Sequence, residues 1–169
     1  PERLLDIKRL SELSDQITLD GDRIGIGALA TLAQLETDEL VMAHLPALAE
    51  AAEVAATPQL RNMATIGGNV LQRPRCWYYR NDDVQCWLKG GDECFARGGD
   101  NREHAIFDVS PCVAAHPSDL AAVLVAYGAT VHYRDTGGEH EIAAEDFFQA
   151  PTDDRRIEHV LPETAVITG

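Results

Sequence analysis

Alternating apolar and polar positions predict two β-hairpins. Residues 17–28, ITLDGDRIGIGA, alternate on both sides of Asp20-Gly21, a dipeptide typical of a tight turn. Residues 129–144, ATVHYRDTGGEHEIAA, repeat this pattern around a second glycine turn. Gly25 and Gly27 therefore belong to a strand or a bulge rather than to a nucleotide-binding loop.

Helix-start signals follow the first hairpin. Thr31 with Gln34 forms a capping-box pattern, which predicts a helix through about Leu35. Thr37 is a second candidate cap, before the segment DELVMAHL. The sequence therefore predicts two short helices in succession.

Two further helices have clear boundaries. Pro46 suits the first turn of PALAEAAEVAA, and Thr57-Pro58 ends that helix. Farther along, SDLAAVLVAYG starts at Ser118 and closes at Gly128. The segment AEDFFQ predicts a short helical turn. Strands and helices that are mixed in this order indicate an α+β fold.

Periodicity is lost between residues 73 and 117. The stretch LKGGDECFARGGDNREH is rich in glycine and charge and has few apolar residues. A structureless run of this length is unusual inside a compact domain. We expect something other than a hydrophobic core to hold it, and a metal centre would do so.

The charge balance excludes some classes of partner. The chain has 28 acidic and 14 basic side chains, a formal net charge of −14. A general binder of nucleic acid or anionic membrane would need a basic surface. No stretch is long and apolar enough to span a bilayer, and no signal peptide is visible, which predicts a cytoplasmic protein. Because the chain opens on Pro1 and LPETAVITG ends without a closing element, we expect a piece of a longer polypeptide.

The segment ATIGGN offers a candidate anion site. The adjacent Gly67 and Gly68 let a backbone approach a ligand closely and let N–H groups converge on an anion. Thr65 adds a hydroxyl and Asn69 an amide, which together suit a pyrophosphate. A tight turn without a ligand is at least as common for Gly-Gly. The segment is neither a Walker loop nor the Rossmann fingerprint.

The segment HPSDLA allows two roles side by side. Ser118 or Asp119 can cap the helix that follows, which needs no ligand. Asp119 can also accept hydrogen bonds from ligand hydroxyls. The roles are compatible, because one residue can cap while the other reaches outward.

All four cysteines fall in the aperiodic segment: Cys76, Cys86, Cys94 and Cys112. Clustered thiols in a chain without a secretory signal favour a metal or cluster over disulfides. Paired zinc knuckles and the common ferredoxin spacings are both absent. A 4Fe–4S cluster tolerates irregular spacing, and zinc is its main rival, with His104 and His116 as substitute ligands. Buried structural thiols are a third interpretation, which the scarcity of apolar residues disfavours.

Aromatic and basic residues surround the first cysteine. Trp77, Tyr78 and Tyr79 follow Cys76 directly and either shield a cluster or simply pack. Three arginines nearby either face a phosphate or a partner subunit, or lie on a solvated face: Arg73, Arg75 and Arg80. Packing and solvation are the commoner outcomes.

The chain resembles the flavin subunit or domain of the molybdenum hydroxylases, the group of xanthine dehydrogenase, aldehyde oxidoreductase and carbon monoxide dehydrogenase. The resemblance rests on TPQLRNMATIGGNV and HPSDLAAVLVAYGATV, with PERLLDIKRLSEL and RIGIGALATLAQL upstream. It covers essentially the whole chain. The cysteine-bearing interval between the two main motifs resembles a smaller branch of aldehyde oxidoreductase and 4-hydroxybenzoyl-coenzyme A reductase type, whose flavin subunits carry an extra 4Fe–4S cluster.

The resemblance implies a PCMH-type, vanillyl-alcohol-oxidase-like FAD-binding lobe in residues 1–72 and 118–169, with an iron–sulfur insertion in 73–117. It also implies the cofactor contacts. Thr65, Ile66, Gly67, Gly68 and Asn69 would contact the FAD pyrophosphate, and Asp119, next to Ser118, would contact ribityl or ribose hydroxyls. Cys76, Cys86, Cys94 and Cys112 would ligate the cluster. The family's first FAD loop is expected upstream of Pro1, and its C-terminal domain after Gly169.

The implied function is electron transfer. Substrate, an aldehyde or N-heterocycle, would be hydroxylated in a molybdopterin-binding large subunit, and electrons would reach FAD through a small 2Fe–2S subunit. No side chain of this chain is expected to be a catalytic acid or base. Two alternatives remain, a zinc-stapled interaction module and a self-sufficient flavin oxidase. The family's flavin subunit can also accompany a translocated partner to the periplasm.

Overall fold

The structure, a computed structural model, describes residues 4–169 and divides into two compact units. The first unit comprises the residues up to Val70, together with Ser118–Glu145 and Pro162–Gly169. The second comprises Leu71–Pro117 and Asp146–Leu161. The structure therefore groups Asp146–Leu161 with the cysteine segment, whereas the sequence placed this stretch with the first lobe.

Short helices supply most of the regular structure. In chain order the α-helices of the described residues are α1 (Leu32–Thr37), α2 (Glu39–His44), α3 (Pro46–Val54), α4 (Pro58–Arg61), α5 (Ile66–Val70), α6 (Trp77–Arg80), α7 (Asp119–Ala126) and α8 (Ala144–Phe147). Turns of 3₁₀-helix cover Ile7–Arg9, Trp87–Lys89 and Phe95–Arg97. No helix among the described residues is long and apolar enough to cross a membrane.

The predicted capping box is confirmed. The Thr31 hydroxyl accepts a hydrogen bond from the Gln34 amide at 3.2 Å, and the Gln34 side chain accepts one from the Thr31 amide at 2.7 Å. The second predicted cap is displaced by one residue. Helix α1 extends to Thr37, so Asp38 is the first residue with an extended backbone. The Asp38 carboxylate caps α2, because it accepts hydrogen bonds from the amides of Leu40 and Val41.

The third helix ends earlier than predicted. Helix α3 stops at Val54, three residues before the predicted Thr57-Pro58 boundary. Thr57 instead caps α4, because its hydroxyl accepts a hydrogen bond from the Leu60 amide. Proline at the first position suits this one-turn helix as well as it suits α3.

Both predicted hairpins are present. Strands β1 (Ile17–Asp20) and β2 (Arg23–Ile26) pair antiparallel, with Gly21 at a φ of +60° in the turn. Strands β3 (Thr130–Asp135) and β4 (Gly138–Ala143) form the second hairpin. The C-terminal stretch, for which the sequence predicted no element, supplies β5 (Val166–Ile167), which pairs antiparallel with β3. The antiparallel strands and separate helices fit the predicted α+β class.

The core of the first unit lies between helices. Leu32 and Leu35 of α1, Leu48 of α3 and Leu120 of α7 are almost completely buried in one cluster. Val41 of α2 and Ile66 of α5 belong to the same cluster. Since α7 is part of this cluster, the core fixes the start of α7 relative to the helices that precede it.

The second unit has its own small core. Trp87 and Leu88 are buried beside Cys86, and Phe147 from the returning segment is fully buried. Asp146–Leu161 therefore adds apolar side chains that the cysteine segment lacks. The sequence-based expectation that residues 73–117 lack an apolar core is therefore wrong in part, because Cys86, Trp87 and Leu88 form a small buried cluster inside this segment.

Replacement of Leu48 by alanine tests the helical core. Leu48 has no exposed surface, so Leu48→Ala should lower the free energy of unfolding by about 2–5 kcal/mol. Urea denaturation measures the change. Leu60→Ala is the matched control, because Leu60 is 57% exposed, and it should change stability by less than about 0.5 kcal/mol. Equal losses in both variants would contradict this assignment of the core.

Candidate functional site

The segment ATIGGN is a helical turn rather than an open loop. Thr65 forms an isolated antiparallel bridge with Thr31, and α5 begins at the next residue. The Leu32 amide donates to the Ala64 carbonyl at 2.9 Å, which attaches this segment to the start of α1. The predicted loop is therefore anchored to the helical core on its N-terminal side.

The amides at the start of α5 already have acceptors within the protein. The Ile66 amide donates to the Ala30 carbonyl at 2.8 Å, and the Gly67 amide to the Ala28 carbonyl at 3.1 Å. The Gly68 amide donates to the Thr65 hydroxyl at 3.2 Å. In this structure each of these N–H groups is used by the fold, and the prediction that they bind an anion stays a prediction.

The two glycines meet different requirements. A Cβ atom on Gly67 would lie 3.0 Å from the Ala28 carbonyl oxygen and 3.1 Å from its Cβ, so any larger residue there must push Ala28 aside by a few tenths of an ångström. Gly68 is exposed, and a Cβ atom on it would meet only the Thr65 hydroxyl, at 3.2 Å. Gly68 therefore presents the bare backbone surface that a ligand can approach.

A hydrogen bond joins the two predicted cofactor motifs. The Ser118 hydroxyl donates to the Asn69 side-chain oxygen at 2.5 Å, and both residues are buried. Ser118 also caps α7, because its hydroxyl accepts from the Ala121 amide at 3.1 Å. The predicted cap is thus confirmed. Asp119, the first residue of α7, is exposed and available for contacts outside the chain.

The four cysteines line one small cavity in the second unit. Its wall consists of Cys76, Cys86, Cys94, Cys112, Tyr78, Tyr79, Trp87, Leu88, Phe95, Ala96 and Ala114. None of the four thiols is in a disulfide. The cavity volume is about 10 Å³, room for roughly one water molecule, so a larger group requires the side chains to move apart. The wall otherwise carries aromatic and aliphatic surface.

The thiols share the cavity without converging on one point. Among residues 4–169, no group of three or more His, Cys, Asp or Glu side chains is arranged to hold a single metal ion. Burial is the main cause that raises the pKa of Cys112 to about 11, and the charges of the other three cysteines raise it further. A hydrogen bond from the Ala114 amide opposes this shift. A metal bound by Cys112 must therefore displace a proton.

Cys76, Cys86 and Cys94 occupy similar local positions. Each directly precedes a helical turn, at the starts of α6, Trp87–Lys89 and Phe95–Arg97. Such turns need no long periodic pattern, so the sequence analysis predicted no helix at these three positions. They place three of the four thiols at chain reversals around the cavity.

Arginine side chains hold the backbone beside the cysteines. Arg97 donates to the carbonyls of Pro111 and Ser110, directly before Cys112. Arg156 donates to the carbonyls of Trp87 and Gly91 at 2.7 and 2.9 Å, and its guanidinium lies over the Trp87 ring. Sequence reasoning singled out neither arginine, because no local pattern relates them to these carbonyls.

Arg80 has the same role before the first cysteine. Its guanidinium donates to the carbonyls of Pro74 and Arg73 at 2.8 and 2.9 Å. Arg73 itself pairs with the buried Glu158 at 3.0 Å. Arg75 is exposed and contacts Gln72, in line with the solvated interpretation.

The aromatic residues after Cys76 separate into two groups. Tyr78 and Tyr79 line the cavity, which fits the packing interpretation and the shielding interpretation equally, while Trp77 is partly exposed. His104, a candidate substitute ligand, lies with its Nε2 atom 3.1 Å from the Cys76 sulfur. His116, the other candidate, packs against the Phe148 ring instead and is not part of the cavity wall.

Comparison with known families decides the identity of the fold. The family described as the FAD binding domain in molybdopterin dehydrogenase matches residues 1–168. The chain belongs to this family. The predicted resemblance is therefore confirmed at the level of the flavin domain, and the 4Fe–4S branch stays a prediction.

Individual relatives of this FAD-binding domain agree with the family. The aldehyde oxidoreductase FAD-binding subunit PaoB of Escherichia coli strain K12 is 35% identical over 172 residues, which cover 100% of this chain and 52% of the relative. The carbon monoxide dehydrogenase medium chain of Hydrogenophaga pseudoflava is 46% identical over 70 residues, 41% of this chain and 24% of the relative. The chain spans about half the length of the relative that it matches from end to end.

A solved structure has the same fold. Carbon monoxide dehydrogenase from Hydrogenophaga pseudoflava, in a form that lacks the Mo-pyranopterin moiety of the molybdenum cofactor, superposes with a TM-score of 0.66 at 26% identity. The match covers 99% of this chain and 42% of that chain. The mixed helix and strand fold of the FAD-binding domain is therefore shared with this oxidoreductase.

The hydrogen bond between Ser118 and Asn69 is testable by stability. Ser118→Ala removes the α7 cap and the donor to Asn69, so it should lower the free energy of unfolding by about 0.5–2 kcal/mol. Thr57→Ala is the control, because Thr57 caps only the exposed one-turn helix α4 through a 3.4 Å bond, and it should cost less. If urea denaturation finds Thr57→Ala the more harmful, the structural role of Ser118 is contradicted.

Proposed function

We propose that this chain binds FAD and forms the electron-transfer part of the flavin subunit of a molybdenum hydroxylase. The observation that carries this proposal is the family match over residues 1–168. The relatives that match are FAD-binding subunits and medium chains of oxidoreductases. Bound FAD would accept electrons from one partner and deliver them to another.

The first unit offers a specific surface for the flavin. Gly68 is exposed beside the Thr65 hydroxyl, and Asp119 is exposed at the start of α7. We assign backbone contact with the pyrophosphate to Thr65 and Gly68, and hydroxyl recognition to Asp119. Ile66 and Gly67 would support this surface through their hydrogen bonds to Ala30 and Ala28 rather than donate to phosphate.

Asn69 and Ser118 would act from beneath that surface. Their side chains are buried and bonded to each other, so they fix α5 relative to the start of α7. This link sets the separation between Gly68 and Asp119, which a dinucleotide must span. We assign no residue as a catalytic acid or base, because the flavin performs the redox chemistry and the protein binds and orients it.

The second unit would hold a 4Fe–4S cluster through Cys76, Cys86, Cys94 and Cys112. Four free thiols that line one cavity with aromatic and aliphatic side chains have the right donor chemistry. A zinc ion needs four ligands at about 2.0–2.3 Å from one centre. The described residues show no ready-made site of this kind, so zinc stays the alternative occupant of the same four thiols.

The relatives support a proposal for the partners and the substrate. We propose a molybdopterin-binding large subunit and a small 2Fe–2S subunit as partners. An aldehyde is the favoured substrate class over an N-heterocycle, because the aldehyde oxidoreductase subunit PaoB matches the whole chain. Location in the cytoplasm stays a prediction from the sequence.

Enlarging Gly68 tests the flavin surface. Gly68→Leu in the full-length protein should abolish FAD binding, because the side chain would cover the exposed backbone that the pyrophosphate approaches. Flavin absorbance per purified protein measures occupancy. Gly98→Leu is the matched control, because a Cβ atom there meets nothing within 4 Å, and it should keep its flavin. Full occupancy in a folded Gly68→Leu protein would refute the assignment.

Removing one thiol tests the cluster assignment. Cys94→Ser should lose most of its iron and increase hydrogen exchange across residues 73–117, since the cluster would be the main cross-link of that segment. Asp92→Asn, an exposed change in the same stretch, should retain iron. Unchanged iron in Cys94→Ser would remove Cys94 from the ligand set, and stoichiometric zinc in place of iron would favour the stapled interaction module.

A further inference from the structure

One histidine contacts a cysteine sulfur at the cavity. The Nε2 atom of His104 lies 3.1 Å from the Sγ atom of Cys76, within hydrogen-bonding distance for a sulfur acceptor. His104 is the final residue of the glycine-rich stretch, where the sequence pattern predicted no order. Contacts from other parts of the second unit must therefore hold His104 in this position.

The backbone and the ring of His104 are both held in place. Its amide donates to the Asn101 carbonyl at 3.0 Å, and the next amide, of Ala105, donates to the Val113 carbonyl at 2.8 Å. The ring packs edge-to-face against Trp77 with centroids 5.0 Å apart. Three independent contacts thus direct Nε2 toward the sulfur.

The chemistry of a ligating thiolate fixes the direction of this hydrogen bond. A cysteine bound to iron carries no proton, so the ring nitrogen that faces it must be the N–H donor. The other ring nitrogen, Nδ1, is buried and has no hydrogen-bond partner among the described residues. No acceptor among the described residues therefore holds a proton on Nδ1, which is the tautomer that would leave Nε2 without one.

We propose that His104 is a positioning residue that donates its Nε2–H group to the Cys76 sulfur and raises the reduction potential of the bound cluster. This inference rests on the proposed 4Fe–4S site. Reduction adds one negative charge to the cluster and its sulfurs, and a fixed donor stabilises the more negative form more strongly. Hydrogen bonds to sulfur and the surrounding shell are known determinants of such potentials.

A second hydrogen-bond donor faces a cysteine sulfur in the same cavity. The Ala114 amide lies 3.5 Å from the Cys112 sulfur. That donor belongs to the backbone, so no side-chain replacement deletes it directly. The His104 side chain is a donor that mutation can remove while the four thiols stay in place.

The experiment compares His104→Leu with His104→Gln in the full-length protein within its complex. Both variants lose the aromatic ring, but the glutamine amide can still donate to sulfur. Iron and sulfide are measured first, and the midpoint potential is then determined by a redox titration followed by electron paramagnetic resonance. His132→Leu, at an exposed position on β3, is the control for the same substitution elsewhere.

We expect His104→Leu to retain iron and to show a more negative potential, with His104→Gln closer to the wild type. Loss of iron in the leucine variant alone, with a near-wild-type potential in the glutamine variant, would also support the donor role. Equal midpoint potentials in the wild type and in both iron-containing variants would overturn the donor role. Loss of iron from both variants would also overturn it and would make His104 a ligand or a packing residue. Wild-type protein without iron would refute the proposed cluster itself, a result distinct from these.

Discussion

Backbone carbonyl groups in the cysteine segment need hydrogen-bond donors that regular secondary structure does not supply, and arginine side chains provide them. Arg80, Arg97 and Arg156 each donate to two carbonyls that lie near a cysteine. A guanidinium group suits this task because its planar fork carries several donors in fixed directions. The shape of the cavity depends on these bonds, since the segment has only single helical turns of its own.

The first unit solves a different problem, which is to bring two separated motifs together. The bond between Asn69 and Ser118 joins the end of α5 to the cap of α7, and the leucine core behind them holds both helices. The amides of Ile66 and Gly67 are used to attach α5 to the preceding chain. The exposed part of this segment is therefore the backbone of Gly68, because the amides of Ile66, Gly67 and Gly68 already have acceptors within the protein.

Local features of the sequence predicted local structure well. The capping box at Thr31, the hairpin turn at Gly21 and the helix start at Ser118 depend on residues close together in the chain, so their patterns are readable. The two-residue strand β5 has no pattern of its own and exists only because β3 lies beside it. The contact of Arg156 with the Trp87 turn is likewise a tertiary event that no local signal announces.

The candidate sites were predicted in part for the same reason. The motifs and cysteines were identifiable from the sequence, and the family match confirms the flavin domain. The bond between Asn69 and Ser118 and the placement of His104 against Cys76 required coordinates, because each joins residues that are far apart in the chain. Residue type thus indicated which chemistry to expect, and the fold indicated which atoms meet.

The most direct test of the account is the cofactor content of the anaerobically purified full-length protein. Iron, acid-labile sulfide, zinc and FAD would be quantified together with an absorption spectrum. We expect one FAD, about four irons and about four sulfides per chain, the composition of one flavin and one 4Fe–4S cluster. One zinc without iron, in a protein without flavin bands, would contradict it.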